Sequence, residues 1–78
     1  MKNAINPKEM IGKIWRDDEY EQVLYCFNVK LNNSGYYIFY FKRLSGRFSG
    51  QIFDIEMDSY IGILDDLEQK EWIEVKPD

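Results

Sequence analysis

The sequence predicts an α+β fold: a three-stranded antiparallel β-meander with two helices packed on one face, ordered α-β-β-β-α, with a short strand to close. Three observations predict it. Tyr36-Tyr37-Ile38-Phe39-Tyr40-Phe41 is an unbroken run of large apolar and aromatic side chains, too apolar for a solvated loop. Two turn clusters, Asn32-Asn33-Ser34-Gly35 and Leu44-Ser45-Gly46-Arg47, flank it at hairpin spacing. Helix-start signals stand near both ends of the chain.

The first helix is predicted over about 7–15. Asn6 suits the N-cap, Pro7 the first helical position and Glu9 the third. Met10, Ile11, Ile14 and Trp15 then recur at helical spacing. The competing reading is a strand from Ile11 to Arg16, since Gly12 weakens a helix. Asp17-Asp18-Glu19 reads as an exposed turn, and Glu21–Leu31 as the first strand of the meander. The aromatic strand follows to about Arg43, and a third runs from Phe48 to Glu56. Asp58 or Ser59 then caps a second helix over about 59–70, with an apolar stripe through Tyr60, Ile61, Leu64, Leu67 and Trp72. Trp72-Ile73-Glu74-Val75 alternates as a short final strand would.

Four-residue turns set a register that pairs Leu31 with Tyr36, Val29 with Ile38 and Ile38 with Phe53. One face then gathers Val23, Tyr25, Phe27, Val29, Leu31, Tyr36, Ile38, Tyr40, Phe53 and Ile55, a convincing core. The opposite face holds Leu24, Cys26, Tyr37, Phe39, Phe41 and Ile52, with charged residues at its margin. It is expected either to be buried under the N-terminal helix or the final strand, or to be a spare aromatic face in which Tyr37, Phe39, Phe41 and Ile52 contact a partner.

At 78 residues the chain is expected to form a single domain, with 45% hydrophobic and 31% charged residues. No apolar run approaches the roughly 20 residues that span a bilayer, so no membrane partner is expected. The lone Cys26, with no leader in view, points to the cytoplasm. Residue usage, with one Ala and no Thr, suggests an AT-rich genome such as that of a low-GC bacterium or its phage.

Charge is segregated. Residues 1–53 carry eight Lys/Arg and five Asp/Glu, and residues 54–78 carry two Lys and nine Asp/Glu, giving +3 and −7. The acidic end disfavours a nucleic-acid partner and suits a protein with a basic groove. Asp58, Asp65, Asp66, Glu68 and Glu71 are its candidate contacts.

The α-β-β-β-α order resembles the double-stranded-RNA-binding domain in topology only. That family's basic cluster would fall near residues 58–62, where this chain reads Asp58-Ser59-Tyr60-Ile61-Gly62. The resemblance therefore implies no RNA function.

Residue chemistry points away from catalysis. The chain has no His, so the common neutral-pH base is missing. Cys26, Ser45, Ser49 and Ser59 have no evident activating base. Asp54 and Glu56 share a strand face, but a solvated edge explains them without a metal. No catalytic residue, cofactor or metal site is expected.

The expected function is therefore a small protein-binding module, a phage- or mobile-element-type inhibitor or regulator of a host protein. It would use its acidic helix and its aromatic face. One alternative is a homodimer joined through that face. Another is a single-strand nucleic-acid binder that combines the aromatic strand with Lys42, Arg43 and Arg47.

Overall fold

The computed structural model describes residues 6–19 and 21–76. Its fold is α+β, but with five strands and one α-helix rather than three strands and two. The chain runs through a 3-10 turn (Pro7–Met10), β1 (Ile14–Asp17), β2 (Gln22–Leu31), β3 (Tyr37–Ser45), β4 (Ile52–Met57), α1 (Tyr60–Gln69) and β5 (Ile73–Val75). The strands form one antiparallel sheet in the order β4-β3-β2-β1-β5. The topological resemblance to the double-stranded-RNA-binding domain ends with that strand count.

The cap signature at Asn6 works as the sequence predicts. Its side-chain oxygen accepts from the Lys8 amide at 2.9 Å. The helix nevertheless stops after one 3-10 turn, because Ile11 is extended and Gly12 takes φ +94°. That reversal sends the chain into the sheet: the Gly12 amide donates to the Cys26 carbonyl at 2.8 Å, and the Cys26 amide to the Lys13 carbonyl at 3.1 Å. The competing strand reading holds from Ile14 onward, where β1 begins, while Ile11 and Gly12 form a turn.

The helix α1 starts where expected. Ser59 Oγ accepts from the Gly62 amide at 2.9 Å, the usual N-cap bond. Tyr60, Ile63 and Leu67 turn inward and are buried, with Leu64 beside them, while Ile61 points out. The helix leaves one sheet edge at β4 and delivers the chain to the other at β5. Ten residues at 1.5 Å give about 15 Å, close to the roughly 19 Å across five strands. One helix therefore roofs the inner face.

The sheet faces divide differently from the sequence expectation: of the expected core face Val29, Phe53 and Ile55 do turn inward, whereas Val23, Tyr25, Phe27, Ile38 and Tyr40 do not. The inner face carries Trp15, Leu24, Cys26, Val29, Phe39 and Phe41, all buried, with Tyr37, Phe53, Ile55 and Met57 packed around them. Met10 of the 3-10 turn joins this core. Tyr25, Phe27, Ile38 and Tyr40 lie on the outside. Two changes of register cause this: Phe41, not Ile38, pairs with Phe53, which sets Phe53 and Ile55 on the face of Phe39 and Phe41, and β2 carries a bulge. Cys26 pairs with Phe41 but Asn28 pairs with Tyr40, so one residue of β2 is unmatched between them. A bulge reverses the alternation from that point on, which lets Leu24, Cys26 and Val29 share one face. The first hairpin is also one residue longer than expected, with Leu31 opposite Tyr37 instead of Tyr36.

Candidate functional site

The C-terminal half of α1, the β1–β2 turn and β5 enclose an open groove of about 780 Å³. It exists because β5 pairs with β1, with Trp15 opposite Glu74. That pairing draws the end of the acidic segment beside the Asp17-Asp18-Glu19 turn. Trp15 and Trp72 line the groove together with Leu64 and Ile73. They are the protein's only tryptophans.

Seven carboxylates line the same space. Asp17, Asp18 and Glu19 come from the turn, Asp65 and Glu68 from α1, and Glu71 and Glu74 from the segment after it; among the described residues Lys76 is the one lining cation. Two are compensated: Arg16 binds Asp18, and Lys13 Nζ lies 3.1 Å from Glu74 Oε2. Lys13 is held more firmly protonated than usual, first by the hydrogen bond to Glu74. Asp17, Glu19, Asp65, Glu68 and Glu71 have no ion pair among the described residues.

Backbone electrostatics deepen the negative potential. The C-terminal end of a helix carries the negative pole of its dipole, and cations belong there. The last turn of α1 instead has no basic residue, though Lys70 at the C-cap reaches back to Asp66 at 3.0 Å. The helix closes with the Trp72 amide donating to the Leu67 carbonyl and the Glu71 amide to the Glu68 carbonyl, both at 2.9 Å. This hydrogen-bond pair normally places glycine in the left-handed conformation. Here Glu71 occupies it, with φ +66°.

A further irregularity lies in the groove wall. Trp15 is 5% exposed, and its indole Nε1–H is buried with no hydrogen-bond partner among the described residues. An unpaired buried donor costs about 1–3 kcal/mol.

The acidic residues singled out from sequence divide. Asp65, Glu68 and Glu71 come together at the groove. Asp66 lies off it, paired to Lys70, and Asp58 is exposed beyond the opposite end of α1. The aromatic set does not form a surface. Phe39 and Phe41 are 0% exposed in the core, Tyr37 is half-buried, and Ile52 is 58% exposed on the other face. Cys26 is buried beside them, and burial pushes its thiol up to about 11.

The basic set does not converge either. Lys42 is exposed on the outer face. Arg43 turns inward, 4.8 Å above the Phe53 ring, and its Nε donates to Gln51 Oε1 at 3.0 Å while its guanidinium also reaches Gln22. Arg47 stays in the β3–β4 loop against Phe48.

Trp15, Asp17, Asp18, Glu19, Trp72 and Glu74 were not anticipated as site residues. Their signal was present as an acidic turn and an acidic helix. What was missing was the β1–β5 pairing that joins them. Among the described residues, no three His, Cys, Asp or Glu side chains converge as a metal site would require. No described helix is long and apolar enough to cross a membrane.

Comparison of the chain with protein-family models, with curated proteins and with solved structures finds no match. The class the fold and groove define is a small α+β domain with an acidic, tryptophan-lined cleft.

Proposed function

We propose that the chain is a protein-binding module whose groove takes a lysine- and arginine-bearing segment of a partner protein. The observation that carries this reading is the joining, in one concave site, of two tryptophans and five carboxylates that have no ion pair among the described residues. Clustered acid speeds encounter with a basic partner and rejects acidic ones. Indole faces attract guanidinium and ammonium groups and anchor interfaces through their area. Two features of the groove oppose stability: acid at the helix C-terminus and a glutamate in a glycine conformation. Local rules are commonly broken in this way at functional sites. Cys26, buried with a raised pKa, lacks the character of a nucleophile.

Because both tryptophans line the groove, intrinsic fluorescence reports on its occupancy. Titration with an arginine-rich peptide is expected to shift the emission with micromolar affinity at low salt. Charge reversal at Asp65 and Glu68, both partly or fully exposed on α1, is expected to weaken binding at least about tenfold. An unchanged spectrum in low salt, or equal affinity in the reversed variant, overturns the reading.

A further inference from the structure

The two edges of the sheet differ in length. β5 has three residues, whereas β4 has six and pairs with β3 on one side only. The β3–β4 connection fixes which way the β4 backbone points. The Arg43 amide donates to the Gln51 carbonyl at 2.9 Å, and the Gly50 amide to the Arg43 carbonyl at 2.7 Å. From there, hydrogen-bonded and non-hydrogen-bonded pairs alternate, as in any antiparallel ladder. Phe53, Ile55 and Met57 therefore exchange bonds with Phe41, Phe39 and Tyr37. The amides and carbonyls of Ile52, Asp54 and Glu56 point the other way, off the sheet. No described residue pairs with them, and all three residues are exposed. The side chains of this edge alternate as well. Asp54 and Glu56 stand on the outer face, where Glu56 also accepts from Asn32 Nδ2. Phe53, Ile55 and Met57 stand on the inner face, half-buried at the margin of the core.

We infer that β4 is a docking edge for an extended segment of a partner protein in which basic and apolar residues alternate. Such a segment adds to the sheet as a further antiparallel strand. Its backbone takes up the outward donors and acceptors of Ile52, Asp54 and Glu56. Its basic side chains then fall directly opposite Asp54 and Glu56, at roughly 5 Å between Cβ atoms. Its apolar side chains fall opposite Phe53, Ile55 and Met57 and extend the cover of the core.

The charges of the edge select that occupant. Opposite charges facing each other across strands stabilise a pair, and like charges destabilise it. Two β4 edges paired about Ile55 would set Asp54 against Glu56 twice, and paired about Asp54 would set Asp54 against itself. A second copy is therefore rejected. Charged side chains commonly guard edge strands against such self-pairing. Here the guard has one sign, which leaves the edge open to a strand of the other sign. A polyanion would meet the same two carboxylates. β4 and β5 are the opposite ends of the strand order, so this edge and the groove beside β5 are separate sites.

Amide hydrogen exchange, followed residue by residue by NMR on the whole chain, tests this. In the free protein the amides of Phe53 and Ile55 are expected to exchange slowly, and those of Asp54 and Glu56 fast. A hexapeptide of alternating lysine and valine is expected to slow the Asp54 and Glu56 amides at least about tenfold. A peptide of three lysines followed by three valines is expected to leave them fast. Asp54→Lys, which removes no bond of the β3–β4 ladder, is expected to weaken the alternating peptide at this edge by about tenfold. Slow exchange at Asp54 and Glu56 in the free protein overturns the inference, because the edge is then already covered. Slowing that follows protein concentration alone, with twice the 9.4 kDa chain mass, overturns it in favour of a second copy. Equal protection by both peptides removes the alternation and overturns it too. An alternating peptide that shifts tryptophan emission but leaves Asp54 and Glu56 fast overturns it while the groove reading stands. Protection at β4 with unchanged emission does the reverse.

Discussion

At the scale of single residues, Glu71 concentrates the tension in the molecule. Its backbone adopts φ +66° at the point where helices favour glycine. Its carboxylate lines the groove beside the negative pole of α1. Both features weaken the fold, and one of them serves the proposed site. Glu71→Gly is therefore expected to stabilise the domain by about 1 kcal/mol, or roughly 4–8 °C in Tm for a chain of this size. The same substitution is expected to weaken an arginine-rich peptide several-fold. Calorimetry and the fluorescence titration together check it; a fall in Tm would show that the glutamate makes a compensating contact. Cys26 gives a second prediction. Its thiol is raised from 9.0 to about 11, chiefly by burial. Above pH 9 the unfolded chain releases a proton that the folded chain retains. Stability contributed by the neutral thiol is therefore complete below pH 9 and is lost as pH rises toward 11. Cys26→Ala is expected to flatten that part of the urea-midpoint profile against pH. A profile as steep as that of the parent would remove Cys26 as its cause.

At the scale of elements, what could be read from the sequence depended on whether local chemistry or long-range pairing decided the outcome. The helix α1 was legible because Ser59 caps it and an apolar stripe follows, both within one segment. β2, β3 and β4 were legible as strands for the same reason. Their faces were not. Strict alternation placed Val29 with Tyr25 and Phe27, and only the unmatched residue between Cys26 and Asn28 moves Val29 to the side of Leu24 and Cys26. No residue type in Phe27-Asn28 announces that bulge. With both sets of side chains apolar, either face could have been the core. The N-terminal segment failed for a different reason. Met10, Ile11, Ile14 and Trp15 fit a helical period, but Gly12 at positive φ breaks it, and hydrogen bonds to Cys26 recruit the chain into the sheet. The candidate site was half legible. Asp65, Glu68 and Glu71 follow from the acidic helix alone, whereas the Trp15 wall and the Asp17-Asp18-Glu19 rim depend on a pairing across nearly sixty residues.

At the scale of the whole molecule, charge segregation becomes spatial. The −7 of residues 54–78 does not spread evenly, because β5 returns the end of that segment to the acidic β1–β2 turn. The folded state therefore holds carboxylates closer together than the unfolded chain does. Salt acts on this balance in two opposing ways. It screens the repulsion within the groove, which stabilises the fold. It also weakens the Lys13–Glu74, Arg16–Asp18 and Lys70–Asp66 pairs. Lys13–Glu74 is partly buried and so is screened less, exposed pairs are each worth only about 0–1 kcal/mol, and several of the groove charges have no ion pair among the described residues to lose. Repulsion should dominate. Between about 0.01 M and 0.5 M sodium chloride, where the screening length falls from about 30 Å to a few ångströms, the urea midpoint is expected to rise. In the Asp65/Glu68 charge-reversed variant the rise should shrink, because the repulsion has already been relieved. A midpoint that falls with salt, or an equal rise in both proteins, would mean that the carboxylates are too well solvated to repel one another. The groove would then lack the potential needed to draw in a basic partner.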